Sequence, residues 1–232
     1  MRILEEAIRS RLRFRAVFFN SSALAKAERL MPQLAAYVET LLLPDKLFAN
    51  AVPSDSPQGV AALVRCPVFS ADDVMAKSPA GLVLAISGVQ DPGNLGTILR
   101  SAEAFGAAGV LLGEGTVSAF NSKVVRASAG SVFRLPMAKV KLTEMVEEMR
   151  SRGLRLAATS SHKGTPLPDS RLTAPLCVFI GSEGTGLPRD LLAKMDETLA
   201  IPHSPSVESL NAGVAASIVL YEVARQNGLG KP

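Results

Sequence analysis

Apolar residues fall into short blocks over the first third of the chain and into a regular alternation after it, with the change near residue 80. Ile3, Leu4, Ala7 and Ile8 recur at helical spacing, so an opening helix is expected. RFRAVFF (13–19) reads as a strand. Asn20, Ser21 and Ser22 offer a cap for a helix carrying Leu24, Ala27, Leu30, Met31 and Leu34, which Pro32 should kink or end. Shorter apolar stretches follow around Leu47 and Phe48 and at GVAALV (59–64), divided by VPSDSPQG (52–59). SADDVMAKSPAG (70–81) is polar, ends near Pro and Gly, and reads as the approach to a linker. A leading α/β domain over 1–75 and a second domain over 76–232 are therefore expected.

The second part alternates more cleanly. GLVLAISG (81–88), with its continuous apolar run, reads as a buried strand. NLGTILRSAEAFG (94–106) is a helix stopped at Gly106, and GVLLG (109–113) a strand. SKVVRASAGSVF (122–133) reads as a short helix turning at Gly130. LTEMVEEMRSRG (142–153) is an amphipathic helix and LRLAATS (154–160) a strand. LCVFIGSEG (176–184), PRDLLAKM (188–195), TLAIP (198–202) and SLNAGVAASIVLYEVARQ (209–226) continue as strand, helix, strand and closing helix. Strands alternating with helices argue for a parallel sheet covered on both faces.

Composition narrows the classes of function. The 232 residues carry 25 Lys plus Arg, 21 Asp plus Glu and 2 His, a net charge of +4. That excess is a weak pointer to a polyanion, and where the positives sit matters more than their sum. Arg2, Arg9, Arg11, Arg13 and Arg15 gather in the leading part, as a phosphate-contacting stripe or as a solvated face. Only 5% of residues are aromatic and none is Trp, which argues against a single-strand binder built on a large stacking platform. A mean hydropathy of +0.24 raises the question of a membrane. No stretch reaches the roughly 18 apolar residues of a spanning helix, and MRILEEAIRSRLRFR lacks a signal-peptide core. Cys66 and Cys177 lie too far apart for a metal ligand set and read as buried, reduced thiols. A cytoplasmic protein with no membrane association and no metal is expected.

In open parallel sheets, ligands bind beyond the carboxyl ends of strands. Three such segments carry the polar chemistry of the second part: VQDPGNLGTILR (89–100), SEGTGLPRD (182–190) and HSPSVESLNAG (203–213). GSEGTG (181–186) is not GxGxxG, and Glu183 within it would repel a pyrophosphate, so a Rossmann-type oxidoreductase is disfavoured. Its glycines permit close backbone approach to an uncharged, nucleoside-like group; an ordinary tight turn is the simpler alternative. Asn94, near a helix start, is a candidate cap. Arg100 and Glu103 have the spacing of an exposed ion pair. His203 reads as a loop-packing residue, and with Ser209 and Asp190 it makes no nucleophile elbow.

Taken together, VQDPGNLGTILRSAEAFGAAGVLLG, KVVRASAGSVFRLP, VFIGSEGTGLP and IPHSPSVESLNAGVAASIVLYE closely resemble the SpoU-type (TrmH-type) RNA 2′-O-ribose methyltransferases of the SPOUT superfamily. The resemblance covers about 81–226, with the motifs in the family's order. More loosely, residues 1–70 resemble the small L30e-like RNA-binding domain that precedes the catalytic domain in many members. The resemblance implies a parallel α/β domain with a C-terminal deep trefoil knot that binds S-adenosylmethionine (AdoMet) without a metal. It further implies a homodimer with the target site built across its interface, and RNA as substrate, ribosomal RNA ahead of tRNA. A non-catalytic RNA-binding protein that kept the fold is the alternative from another class.

Residue by residue, the resemblance assigns Arg100, Asn94, Glu183, Ser209 and Asn211 to catalysis. Thr159, Gly181, Ile201 and Leu210 fall in the cofactor region. Lys123, Arg126 and Ser128 are candidate RNA contacts, joined by Arg9 and Arg11 of the leading part. An arginine stays protonated in proteins, so Arg100 is expected to position the target phosphate and stabilise a developing alkoxide rather than act as a base. His203 stands where members more often carry Met, and Ser122 where Pro is common before Lys123. Members also carry a further strand ahead of the opening helix, so the leading domain is expected to be shortened, with an exposed edge.

Overall fold

The computed structural model describes residues 2–52, 58–76, 81–161 and 163–228. Residues 53–57 and 77–80, both within segments read from sequence as connections, lie outside the described residues. The chain divides into two compact units, Met1–Pro67 and Val68–Pro232.

The first unit runs α1 (Arg2–Arg9), β1 (Arg13–Asn20), α2 (Leu24–Leu30), β2 (Glu39–Leu43), α3 (Asp45–Ala51) and β3 (Val60–Arg65). β1 is central, parallel to β2 and antiparallel to β3. Phe14, Ala16, Val17 and Phe19 of β1 are buried, as are Leu4 and Ala7 of α1; helical spacing on α1 points its apolar residues inward, while β1, with a register slip between Phe14 and Ala16, does not alternate strictly. α2 stops at Leu30, and a 3-10 turn carries Pro32 over Met31–Gln33, as a proline without an N–H dictates. The expected cap is absent: neither Asn20 nor Ala23 caps through its side chain. Ser22 instead donates its hydroxyl to Asp45 Oδ2 (2.5 Å) and its N–H to Oδ1 (3.2 Å). Those bonds hold the Asp45 carboxyl below the usual range.

α4 (Ala71–Met75) opens the second unit. Sequence pattern had made this segment the end of the leading domain. Its polar residues form a capping box between Ser70 and Asp73, while Val74 and Met75 turn inward to the core of the second unit. The boundary therefore falls at 67/68 rather than 75/76.

The unit continues with β4 (Leu82–Ile86), α5 (Pro92–Ala104), β5 (Gly109–Leu112), α6 (Ser122–Ala127), β6 (Met137–Lys139) and α7 (Leu142–Ser151). β7 (Arg155–Ser160), β8 (Thr165–Pro166), β9 (Leu176–Ile180), α8 (Arg189–Leu192), β10 (Glu197–Ala200) and α9 (Ala212–Gln226) complete it. The strands form one sheet, ordered β6-β5-β4-β9-β7-β10-β8, and every neighbouring pair is parallel. All residues of β4 and β9 are buried, as expected of strands covered on both faces.

Helix α5 is held between two others through small residues. A Cβ on Gly96 would collide with the Cβ of Ala127 and approach the backbone N of Ser128 to 3.0 Å, so this glycine lets α6 lie close. On another face Ser101 and Ser217 of α9 share a hydroxyl hydrogen bond of 2.7 Å, and a Cβ on Gly213 would come within 3.2 Å of Thr97. Cys177 is buried in β9, whereas Cys66 is exposed, which corrects the expectation of two buried thiols. Among the described residues no helix is long and apolar enough to cross a membrane.

Candidate active site

Helix α5 starts with Pro92, and the side chain of Asp91 accepts the Asn94 N–H at 2.8 Å. Asp91, not Asn94, is therefore the cap. The Asn94 side chain reaches further: its amide N–H donates to Glu183 Oε1, and its carbonyl accepts from Asn211 Nδ2 at 2.8 Å. Asn211 Oδ1 in turn accepts the Val214 N–H at 3.1 Å and caps α9. The first turn of α5, the loop after β9 and the cap of α9 thus contribute one residue each to a single chain of hydrogen bonds, with Asn94 both donor and acceptor.

Glu183 also borders a cavity of about 280 Å³. The cavity sits beyond the carboxyl ends of β7, β9 and β10, which are neighbours in the sheet. Thr159, Gly181 and Ile201 supply those ends, and Ser209 and Leu210 approach from the segment before α9. All four cofactor-region residues assigned from sequence, Thr159, Gly181, Ile201 and Leu210, meet around this one space.

The loop after β9 is shaped by its glycines. Ser182 and Gly186 exchange backbone hydrogen bonds of 3.0 and 3.3 Å, closing a tight reversal, and Gly186 takes φ +65°. A Cβ on Gly181 would strike the Gly186 backbone, so only glycine lets this reversal fold back beside the cavity. His203, which stands where members more often carry Met, lies on the rim and makes it more polar. Its Nδ1 is 2.7 Å from the Ile201 carbonyl, which only accepts, so the proton sits on Nδ1. No Lys or Arg borders the cavity among the described residues; Glu183 is the charged group. Such a lining suits a nucleoside that carries a cationic centre and opposes a pyrophosphate. AdoMet fits it: a glycine-lined cradle open to close backbone approach, apolar walls from Leu187, Leu192 and Ala215, and one carboxylate. Among the described residues no group of three or more His, Cys, Asp or Glu is placed to hold a metal ion.

The other assigned residues separate. Arg100 is exposed on α5, six residues past Asn94, and does not border the cavity. It does not pair with Glu103. Arg134 takes that carboxylate, with Nε at 2.5 Å and Nη2 at 2.9 Å, and holds it below the usual range. Lys123 and Arg126 are exposed on α6. Ser128 is fully buried beneath Gly96 and donates its hydroxyl to the Val125 carbonyl at 3.1 Å, so it is corrected from an RNA contact to a packing residue. Arg9 is held by Glu6 at 2.9 Å, and Arg11, with φ +54°, projects from the turn after α1.

A cavity at the strand ends of a parallel sheet is where α/β proteins hold a cofactor, and this one is built for an adenosine-like group without phosphates. The sequence model of the SpoU rRNA Methylase family matches residues 81–221, and the chain belongs to that family. It is 35% identical to the 23S rRNA (guanosine(2553)-2′-O)-methyltransferase RlmP of Bacillus subtilis (strain 168) over 201 residues, which span 86% of this chain and 79% of that one. It is 40% identical to an uncharacterized tRNA/rRNA methyltransferase of Mycobacterium avium over 73% of this chain, and spans 56% of that relative's length. Among solved structures it matches the SpoU methyltransferase AviRb of Streptomyces viridochromogenes in complex with AdoMet. The TM-score is 0.86 at 29% identity, over 99% of this chain and 89% of that one.

Proposed function

We propose that this protein is an AdoMet-dependent RNA ribose 2′-O-methyltransferase acting on ribosomal RNA. The observation that carries this reading is the junction of the strand-end cavity with the Asn94–Glu183–Asn211 chain at its rim. Thr159, Gly181, Ile201 and Leu210 hold AdoMet, which supplies an electrophilic methyl group. Glu183, fixed by Asn94, lends negative charge beside that cationic cofactor. Ser209, also on the cavity, orients the incoming nucleotide. Transfer to a ribose hydroxyl requires in-line approach of oxygen to the methyl carbon, so positioning dominates the rate.

Arg100 binds the target phosphate and stabilises the alkoxide that develops as the 2′-hydroxyl passes its proton to solvent water; a guanidinium is not the base. Along a helix, six residues place Arg100 about 9 Å from Asn94. That Arg100 does not border its own cavity supports a homodimer in which Arg100 of one copy serves the cavity of the other. Val214, Ile218 and Tyr221 support the same reading: they lie exposed at helical spacing on α9, which packs on α5. The first unit is read as an L30e-like RNA-binding domain, and the segment from β9 through α9 as the trefoil knot. The position of β9 between β4 and β7, both earlier in the chain, supports the knot. A cytoplasmic location follows from an RNA substrate.

Incubating the protein with labelled AdoMet and unmodified ribosomal RNA, then digesting to nucleosides, tests this. Label in a 2′-O-methylnucleoside is expected. Label in tRNA alone would move the substrate to tRNA. No transfer to either, with AdoMet binding intact, would leave a non-catalytic RNA binder.

A further inference from the structure

The first unit holds a second groove whose chemistry the cofactor site does not use. Arg13, Arg15, Arg65, Tyr37 and Leu63 line it. Arg13 and Arg65 are direct partners in the antiparallel register of β1 and β3, so both side chains leave the same face. Like charges placed opposite each other weaken a strand pair, and no ion pair or side-chain hydrogen bond among the described residues relieves this one. Elsewhere in the unit the pattern is the reverse: Arg9 is paired with Glu6, and Arg29 with Glu5. Arg15 sits where the register slips between Phe14 and Ala16, a bulge of the kind that re-aims a side chain, and it too has no ion-pair or hydrogen-bond partner for its side chain among the described residues. Beside these three guanidinium groups Tyr37 is 75% exposed and Leu63 is 52% exposed.

Three uncompensated cations, one open aromatic ring and an aliphatic floor match an unpaired nucleotide. It offers a flat base to stack and phosphates for guanidinium forks. A base-paired helix would cover its base faces, and an acidic peptide would leave the ring unused. We propose that this groove binds a single-stranded stretch of the RNA substrate, with one base on Tyr37 and Leu63 and the flanking phosphates on Arg13, Arg15 and Arg65. The proposal rests on the reading of the protein as an RNA methyltransferase and names the residues by which the first unit selects its RNA.

The test uses the full chain and fluorescence polarisation with a short single-stranded RNA, the same RNA as a duplex, and polyglutamate as competitor. The double variant Arg13→Gln/Arg65→Gln should weaken single-strand binding about tenfold and lower the slope of log affinity on log salt by about 1.4, the value for two lost contacts. Tyr37→Ala should weaken binding about tenfold, and Tyr37→Phe should restore it, since the ring is kept. In methyl transfer these variants should raise KM for RNA and leave kcat and AdoMet affinity unchanged. Single-strand affinity and salt slope equal to wild type would overturn the proposal. So would equal dependence of duplex binding on these residues, or polyglutamate competing as well as RNA. A wild-type protein that neither binds AdoMet nor methylates RNA would instead defeat the underlying enzymatic reading.

Discussion

Asn211 donates its side-chain N–H to the side-chain carbonyl of Asn94 across 2.8 Å while its own carbonyl caps α9. One residue thus secures the closing helix and, through Asn94, the carboxylate of Glu183 on the cavity. The two duties are separable. Asn and Asp cap helices about equally, so Asn211→Asp should keep thermal stability near wild type. It loses the donor to Asn94 and adds a negative charge near Glu183, so methyl transfer should fall about tenfold or more. Asn211→Ala should lose the same activity and also about 1 kcal/mol of stability, read from thermal unfolding. Full activity in Asn211→Asp would remove this link from the catalytic machinery.

Glu222 makes stability depend on acid. Arg225 bonds its carboxylate at 2.7 and 2.8 Å, Gln226 adds a further donor against the opposing effect of burial, and the pKa is lowered from 4.5 to about 2. A folded-state pKa below the ordinary value means that the ionised form favours the folded chain. The contribution is complete above about pH 4.5 and is lost as pH falls through 2. Gln226 also ties α9 to Leu172 and Ser170, so the pair braces the end of the unit. Glu222→Gln should lower Tm at pH 7, and the gap from wild type should close near pH 2.

Thiol titration checks the burial of the sheet. Burial pushes the Cys177 thiol well up, and Cys66 is exposed. One thiol should react with a water-soluble disulfide reagent in the native chain, and both should react after unfolding. Two reactive thiols in the native state would contradict a β9 covered on both faces.

The long apolar runs were legible because their burial is complete: LVLAI and LCVFI form adjacent, fully buried strands at the middle of the sheet, with the fully buried GVLL beside them. β2, β6 and β8 went unassigned. ETLLL is a partly exposed strand without alternation, and β6 and β8 span only three and two residues. Ser70–Met75 looked like a linker because a capping box is polar by nature, and only two residues behind it turn inward. In the site, motif resemblance found residues that spacing could not. Asn94, Glu183 and Asn211 are far apart in the chain and meet only through the sheet's topology. Ser128 carried the right motif but the wrong environment, which only the close packing at Gly96 reveals. The Arg100–Glu103 spacing was real, yet Arg134, distant in sequence, claims that carboxylate.

In the proposed enzyme Arg100 acts on the RNA while the strand-end cavity holds the cofactor. Arg100→Ala measures it most directly, with 2′-O-methylnucleosides quantified by mass spectrometry of digested ribosomal RNA and AdoMet affinity measured by calorimetry on the same preparation. Methylation should fall about 10²- to 10³-fold while AdoMet affinity stays at the wild-type value. Methylation at the wild-type rate, or an equal loss of AdoMet binding, would contradict it.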